Sequence, residues 1–509
     1  MKPSASDLAP GATATGLALP YALGLALAAA AAMLVAVEMA QPPLQSGFHG
    51  ISLSNAGNSR GARAGLELFR DHLDWLPYPF SGLILSPEQY IYGLRIAVIA
   101  MACAQALALV AILRSRTDAS PWPWLAGPVL ASIALLAYPP INTDIFSYAS
   151  FGWAANQGGN PYLAAPSTLR HDPFATMNDW AHITTPYGPL WTGLSRLLVA
   201  LANEQPFGTA ILFKIVAALA SMGLAIATLY LARRVTGNAN HAVVAMVIVA
   251  WSPILLAESA GTAHNDALMM ALAMTGLLTA TTERRGMART GLLVLTAAVL
   301  VKPVAVPLLA LAMMIRLVKR NDGALQALKR CAIDGLAIVA FAGLAFAPYW
   351  GRGHLPSAIA AMQRKLYFDR ALHVNPLWVW ALPRIAGRLR LSGLNAHLSA
   401  VSRAVVVLLV LTAIAAALTP FIRRPGISDV RSSFLRSQIL AWGAVTAGLG
   451  LAPINAHAWY SLWALGPIAI IWTLAAQTSR ARWLLPCLAW LLLSFLVYHT
   501  WPAIGVKVS

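Results

Sequence analysis

Long apolar runs broken by short polar turns repeat along this chain from Leu19 to Trp501. A helix needs about 20 apolar residues to cross the hydrocarbon of a bilayer, and the runs predict about thirteen crossings. They are Leu19–Ala40, Ile91–Leu113, Trp124–Pro140, Thr209–Leu231, His241–Ala260, Ala267–Thr282, Thr290–Val301, Val304–Leu317, Ala332–Trp350, Ala404–Ile422, Leu435–Pro453, Tyr460–Ala476 and Trp483–Trp501. Thr290–Val301 and Val304–Leu317 are short halves joined at Lys302-Pro303, which predicts a tight hairpin or a broken helix.

The polar punctuation orients these runs. Arg114 and Arg116, Arg233-Arg234, Arg284-Arg285, Lys319-Arg320 and Arg423-Arg424 fall in short loops, which the positive-inside rule places in the cytoplasm. On that parity the long stretches 41–90, 141–208 and 351–402 are extracytoplasmic, and the chain ends outside. Leu190–Ala202 is apolar but lacks basic flanks, and a crossing there would break the parity, so it predicts a helix lying in the interface. Val37-Glu38-Met39-Ala40 faintly resembles a signal-peptidase site, yet the preceding run is longer than a signal peptide's apolar core and predicts a retained first helix. No internal repeat, low-complexity linker or soluble domain interrupts the pattern. The expectation is a single all-α, polytopic membrane domain over residues 1–509.

Composition agrees: 58% of the 509 residues are hydrophobic and 11% charged, against about 25% charged in soluble domains. The net charge of +18 would suggest nucleic acid in a soluble protein; here it follows from basic cytoplasmic loops, and no nucleic-acid partner is expected. Cys103, Cys331 and Cys487 are widely spaced and predict neither a disulfide nor a metal site.

The unusual polar residues collect on the expected outer face. They are Asp144 and Tyr148 in Asn142-Thr143-Asp144-Ile145-Phe146-Ser147-Tyr148, then Asn160-Pro161-Tyr162, His171-Asp172, and Tyr187 in Thr185-Pro186-Tyr187-Gly188-Pro189. Glu258, His264-Asn265-Asp266, Lys302 and His457-Ala458-Trp459-Tyr460 complete the set. Each has a purely structural alternative. Asp144 and Asp266 are suited to helix caps, Trp459 and Tyr460 to an aromatic belt, Lys302 to snorkelling, and the Pro-Tyr-Gly-Pro run to a turn. Their convergence favours function, because ionisable groups at membrane depth cost about 2.5–3.5 kcal/mol each on insertion scales. Carboxylates, a lysine and a histidine on one face suit a phosphate-bearing lipid substrate: the lysine offers charge to phosphate, and a carboxylate takes a proton from an attacking hydroxyl.

Taken together, Asp144-Ile145-Phe146-Ser147-Tyr148, Asn160-Pro161-Tyr162, Thr185-Pro186-Tyr187-Gly188-Pro189, His264-Asn265-Asp266-Ala267-Leu268, Val301-Lys302-Pro303 and Trp459-Tyr460 resemble motifs of the C-type (GT-C fold) membrane glycosyltransferases. Within that group the chain resembles the polyprenol-phosphate-mannose-dependent α-(1→6)-mannosyltransferases of lipomannan assembly, in the same order from Asp144 to Tyr460. The resemblance implies a GT-C-like bundle whose extracytoplasmic loops carry short interfacial helices, in a bacterial plasma membrane. It also implies transfer of a hexose, mannose by this likeness, from a polyprenyl-phosphate donor to a glycan or glycolipid acceptor, with inversion at the anomeric centre. Asp144 matches the position of the base, although it follows the third expected crossing and not the first, which leaves Asp71 and Asp74 as rivals. Lys302 would hold the donor phosphate. His264, Asn265 and Asp266, with Glu258 and His457, would bind substrate, and His264 and Asp266 alternatively a divalent cation, a cofactor the sequence leaves undecided. Tyr148, Tyr187, Trp459 and Tyr460 would line the sugar subsites. Arg364, Lys365 and Arg370 are secondary phosphate candidates. The alternatives are a transporter or flippase of lipid-linked sugars, a scaffold without chemistry, or the same reaction on arabinose or glucose.

Overall fold

The computed structural model describes residues 14–40, 60–74, 85–115, 120–140, 142–282, 285–317, 324–350, 401, 404–413, 415–416, 430–450 and 458–476. Among these every regular element is helical. The main helices are α1 (Ala14–Met39), α2 (Arg60–Leu73), α3 (Pro87–Arg114), α4 (Pro123–Leu135), α5 (Asp144–Asn156), α6 (Pro189–Leu201), α7 (Pro206–Thr236), α8 (Ala239–Ala250), α9 (Pro253–Leu256), α10 (Asp266–Ala280), α11 (Arg285–Val301), α12 (Val306–Leu317) and α13 (Ala324–Phe346). Three more follow: α14 (Ala404–Ala413), α15 (Val430–Gly450) and α16 (Leu462–Ala476). The expected crossing Trp483–Trp501, the 351–400 stretch with Arg364, Lys365 and Arg370, and His457 lie outside the described residues.

Among the described residues four helical stretches are long and apolar enough to cross a membrane unaided: Ala18–Met39, Tyr92–Arg114, Pro206–Thr236 and Leu325–Tyr349. A fifth arises if Ala239–Ala250 and Pro253–Gly261, bent by 50°, count as one span. Several other described apolar helices run only 10–17 residues, shorter than a bilayer needs. Proline explains two of the breaks, since it lacks an N–H and disfavours helical backbone in the residue before it. Ser252 before Pro253 and Lys302 before Pro303 are both extended, Lys302 with φ −145° and ψ 117°. The broken helix expected at Lys302-Pro303 is therefore present.

Close backbone approach holds the bundle. A Cβ on Gly24 of α1 would lie 2.9 Å from the Cα of Gly127 on α4, the kind of small-residue contact that lets membrane helices touch. Helix α8 is buried from Ala242 to Ala250 on all sides, as expected of a helix apolar around its whole circumference. By contrast Leu336, Val339 and Leu344 of α13 are largely exposed, a surface that suits lipid and not water. Helix α7 ends on Gly237 at φ 69°, with Arg233 and Arg234 in its last turn, where cations complement the helix dipole. Arg234 also donates to the Leu278 carbonyl near the end of α10. Basic residues thus mark one end of the bundle. The ends of α1, α4 and α11, the starts of α5, α10 and α16, and the turn after α9 mark the other.

Helix α6 matches the expected interfacial segment in extent. Trp191 and Val199 are buried while Leu197 and Leu201 are exposed, so one apolar face packs inward and another is left uncovered. Neither Cys103 nor Cys331 is disulfide-bonded.

Candidate active site

Asp144 is the first residue of α5, with Thr143 in the cap position, so it does not cap the helix. Its own N–H donates to Asn142 Oδ1 at 2.9 Å. Asn142 Nδ2 in turn faces His264 Nε2 at 3.1 Å, and His264 Nε2 stands 3.8 Å from Asp144 Oδ2. Because Asn142 Oδ1 already accepts from the Asp144 N–H, it is the amide nitrogen of Asn142 that is turned toward His264. Glu258 Oε2 lies 2.9 Å from His264 Nδ1, and Thr262 Oγ1 joins both, at 2.8 Å from Nδ1 and 3.1 Å from Oε2. Trp459 closes one face of the imidazole, with ring centroids 4.2 Å apart and planes inclined by 14°.

The backbone that builds this arrangement is irregular. Glu258 sits on a single π turn, Ala257–Gly261, after the α8–α9 bend; such turns occur often at functional sites. Ala263 then takes φ 61°, a left-handed conformation that costs an L-residue about 1–2 kcal/mol. Hydrogen bonds from Ala263 N to Ser259 O and from His264 N to Glu258 O hold it there, and together they turn His264 back toward Glu258. Strain retained in a buried turn beside ionisable groups marks a site and not a plain helix end.

Beside this group lies a second one. Asp266 begins α10, but its carboxylate is not a cap either: Oδ1 accepts from Lys302 Nζ at 2.7 Å and from the indole N–H of Trp463. Lys302 Nζ also lies over the rings of Tyr460 and Trp463, at 5.0 and 5.4 Å from their centroids. Its side chain stays 16% exposed while Asp266 is fully buried, so the ammonium keeps an open side. Asn265 is buried with neither amide atom hydrogen-bonded, and Asp266 Oδ2 is likewise unpartnered. Buried polar atoms of this kind are rare and call for a ligand or water.

Tyr148 and Tyr187 meet edge to face at 5.0 Å. Their loop is tied to Lys302: Gly188 N–H donates to Val301 O at 3.0 Å, and a Cβ at Gly188 would collide with the Leu300 carbonyl. Tyr162 donates to the Tyr187 carbonyl at 3.0 Å and Asn160 to the Tyr349 carbonyl at 2.8 Å. Asn160-Pro161-Tyr162 therefore shapes the site without lining it. Asp71 and Asp74 are exposed on and just past the end of α2. Asp172, outside the spans, is raised by burial despite hydrogen bonds from Ser150 and the Phe174 amide.

Electrostatically the site sets three carboxylates against a lysine and a histidine. Burial alone would lower the His264 pKa, but the Glu258 hydrogen bond and charge, aided by Asp144 and Asp266, outweigh it and raise the value above the ordinary 6.5. Among the described residues no group of three or more His, Cys, Asp and Glu side chains is arranged to hold a metal ion. The geometry brings together Asp144, Glu258, His264, Asp266, Lys302, Trp459 and Tyr460. It adds Asn142, Thr262 and Trp463, which sequence reasoning did not single out as site residues. Trp463 had a signal, since it lies three and four residues past Tyr460 and Trp459; Thr262 had none.

Residues 70–318 match the family described as alpha-(1->6)-mannopyranosyltransferase, N-terminal domain. An alpha-(1->6)-mannopyranosyltransferase A of Mycobacterium tuberculosis is 27% identical over 274 residues, covering 52% of this chain and 49% of that protein. Its namesake from Corynebacterium glutamicum is 26% identical over 152 residues, 30% of each chain. A probable alpha-(1->6)-mannopyranosyltransferase of Mycolicibacterium smegmatis is 32% identical over 154 residues, 29% of this chain and 27% of that protein. The matched stretches span at most about half the length of these relatives. Residues 70–318 of this chain are thus similar to the N-terminal domain of the α-(1→6)-mannopyranosyltransferases.

Proposed function

We propose that this protein transfers a mannosyl unit from a polyprenyl-phosphate carrier to a hydroxyl of a glycan or glycolipid acceptor, in one inverting displacement. The observation that carries the reading is the meeting of a partly accessible carboxylate, Asp144, with the Glu258–His264 pair, beside a lysine with an open side. The names of the relatives support mannose as the sugar.

In this reading Asp144 accepts the acceptor hydroxyl's proton as that oxygen bonds to the anomeric carbon. The bond from that carbon to the carrier phosphate breaks on the opposite side, and its electron pair leaves with the polyprenyl phosphate. Lys302 meets the negative charge gathering on the leaving phosphate. His264 and Asn142 hold Asp144 in place, and Asn265 with Asp266 Oδ2 offers unmet hydrogen-bonding capacity to sugar hydroxyls. Tyr148, Tyr187, Trp459 and Tyr460 supply aromatic walls.

The same proposal places the chain in a bacterial plasma membrane as a GT-C-like bundle of about thirteen crossings, with this site on the extracytoplasmic face. Its support is the gathering of Arg114, Arg233 and Arg234 at the helix ends away from the site.

The test is sugar transfer by the purified protein from a panel of polyprenyl-phosphate sugars, wild type beside Asp144→Asn. Consumption of polyprenyl-phosphate mannose by wild type, with a folded variant slowed about 10²–10⁴-fold, is expected. An equally active variant would move the base elsewhere, with Asp266 and Asp74 next. Consumption of no donor with any acceptor, together with lipid scrambling in liposomes, would replace the transferase reading with a transporter.

A further inference from the structure

Two buried ionisable groups that the proposed mechanism does not use converge on one tyrosine. Glu38, near the end of α1, is fully buried, and its carboxylate accepts hydrogen bonds from Tyr90 at 2.7 Å and from Tyr138 at 2.9 Å. Lys214 of α7 is also fully buried. Its ammonium donates to the carbonyls of Leu135 at 3.3 Å, Leu136 at 3.0 Å and Tyr138, at and just past the C-terminus of α4. Tyr138 is thus fastened at its hydroxyl by a carboxylate on α1 and at its backbone by an ammonium on α7.

Tyr138 touches the active site on two sides. Through the chain it leads by Pro139-Pro140, whose rings restrict φ, to Asn142 and Asp144. Through space its ring packs on Gly261, where a Cβ would lie 3.4 Å from Cδ1, in the π turn that carries Glu258. A displacement of Tyr138 would therefore move the Asp144 side and the Glu258 side of the site together. Burying a charge inside a membrane protein is costly unless the group does something an apolar residue cannot. An apolar residue at position 38 would fill the space but remove the acceptor that holds the Tyr138 hydroxyl, leaving Tyr138 to shift.

We propose that Glu38 is a positioning residue for the reaction: acting through Tyr138, it holds Asp144 in register with the Glu258–His264 pair. Tyr90 donates to the same carboxylate from α3, so its loss serves as the comparison. Tyr90→Phe and Tyr138→Phe each remove one phenol hydroxyl from one buried acceptor. A merely structural cluster would respond alike to both.

Two readouts separate the possibilities in the full-length protein reconstituted in lipid nanodiscs. The first is hydrogen–deuterium exchange at residues 142–147, where the Asp144, Phe146 and Ser147 amides close the first turn of α5. Tyr138→Phe and Glu38→Leu are expected to speed exchange there by ten-fold or more, Tyr90→Phe to leave it within two-fold, and Glu38→Gln, which keeps an acceptor for Tyr138, to recover most of the protection. The second readout rests on the transferase reading: Tyr138→Phe lowers kcat at least ten-fold with KM within two-fold, whereas Tyr90→Phe changes neither. Equal exchange at 142–147 in Tyr138→Phe and Tyr90→Phe, or equal kinetic effects of the two, overturns the proposal. An inactive wild type removes the transferase reading alone, because the exchange comparison needs no substrate and still decides this one.

Discussion

Lys302 and Asp266, 36 residues apart in the chain, meet with Nζ 2.7 Å from Oδ1. The lysine enters from the break between α11 and the short turn at Pro303–Ala305, the aspartate from the first residue of α10. Asp266 and the faces of Tyr460 and Trp463 aim the ammonium before any substrate arrives, so its flexible stem loses little further freedom on binding a phosphate. Lys302→Met is expected to lower kcat/KM by about 10²–10³-fold. Lys302→Arg should recover only part of the loss, because a planar guanidinium does not fit a site shaped for a compact ammonium. Steady-state transfer assays on the two variants check this.

A histidine pKa raised in the folded state makes stability depend on pH in one direction. His264 lies above 6.5 in the folded protein because Glu258, Asp144 and Asp266 outweigh its burial. Folding then takes up a proton, so its stabilisation is complete below pH 6.5 and is lost as the pH rises through the raised value. The difference in Tm between wild type and His264→Gln is expected to be largest near pH 5.5 and to shrink steadily above neutrality. Thermal unfolding in detergent across that range reads it. A difference that grows with pH would show that the imidazole is held neutral.

The Tyr187 loop has room for glycine alone at position 188. Gly188→Ala forces a methyl onto the Leu300 carbonyl and breaks the Gly188–Val301 hydrogen bond, one residue before Lys302. A loss of about 1–3 kcal/mol of stability is expected from overpacking, with a fall in kcat as Lys302 shifts. Melting curves and single-turnover transfer measure the two effects separately.

Tyr162→Phe tests whether Asn160-Pro161-Tyr162 shapes the site from outside. The substitution leaves the buried Tyr187 carbonyl without the phenol that now donates to it, at a cost of about 1–3 kcal/mol. Activity is expected to fall less than in Lys302→Met, because Tyr162 does not border the reacting groups. Chemical denaturation and the same transfer assay compare them.

Several features were legible in the residues because they depend on local composition. Apolar runs separated by basic loops gave helices and their ends, and Lys302-Pro303 gave a broken helix, since proline acts on its immediate neighbours. The lengths of the helices were less legible. His241–Ala260 reads as one apolar run, yet it bends by 50° at Ser252-Pro253 and unwinds into a π turn, because neighbours in the bundle can satisfy backbone groups that a lone helix in lipid could not leave open.

The same division holds for the site. Asp144, Glu258, His264, Asp266, Lys302 and Trp459 stand out in the sequence because ionisable and aromatic groups at the ends of apolar runs are expensive to keep there. Asp144 and Asp266 each begin a helix, which by itself would make them caps; their carboxylates instead face His264 and Lys302. Glu38 reads only as part of a weak cleavage motif, and Tyr138 as the end of an apolar run, until α1, α3 and α4 bring Glu38 against Tyr90 and Tyr138 across 52 and 100 residues. The sequence by itself determined a helical chain with runs apolar enough for a membrane and its unusual ionisable residues gathered at one end. Which carboxylate faces which cation was decided by the tertiary structure, because hydropathy and turn chemistry act over a few residues, while these pairings depend on how distant helices pack.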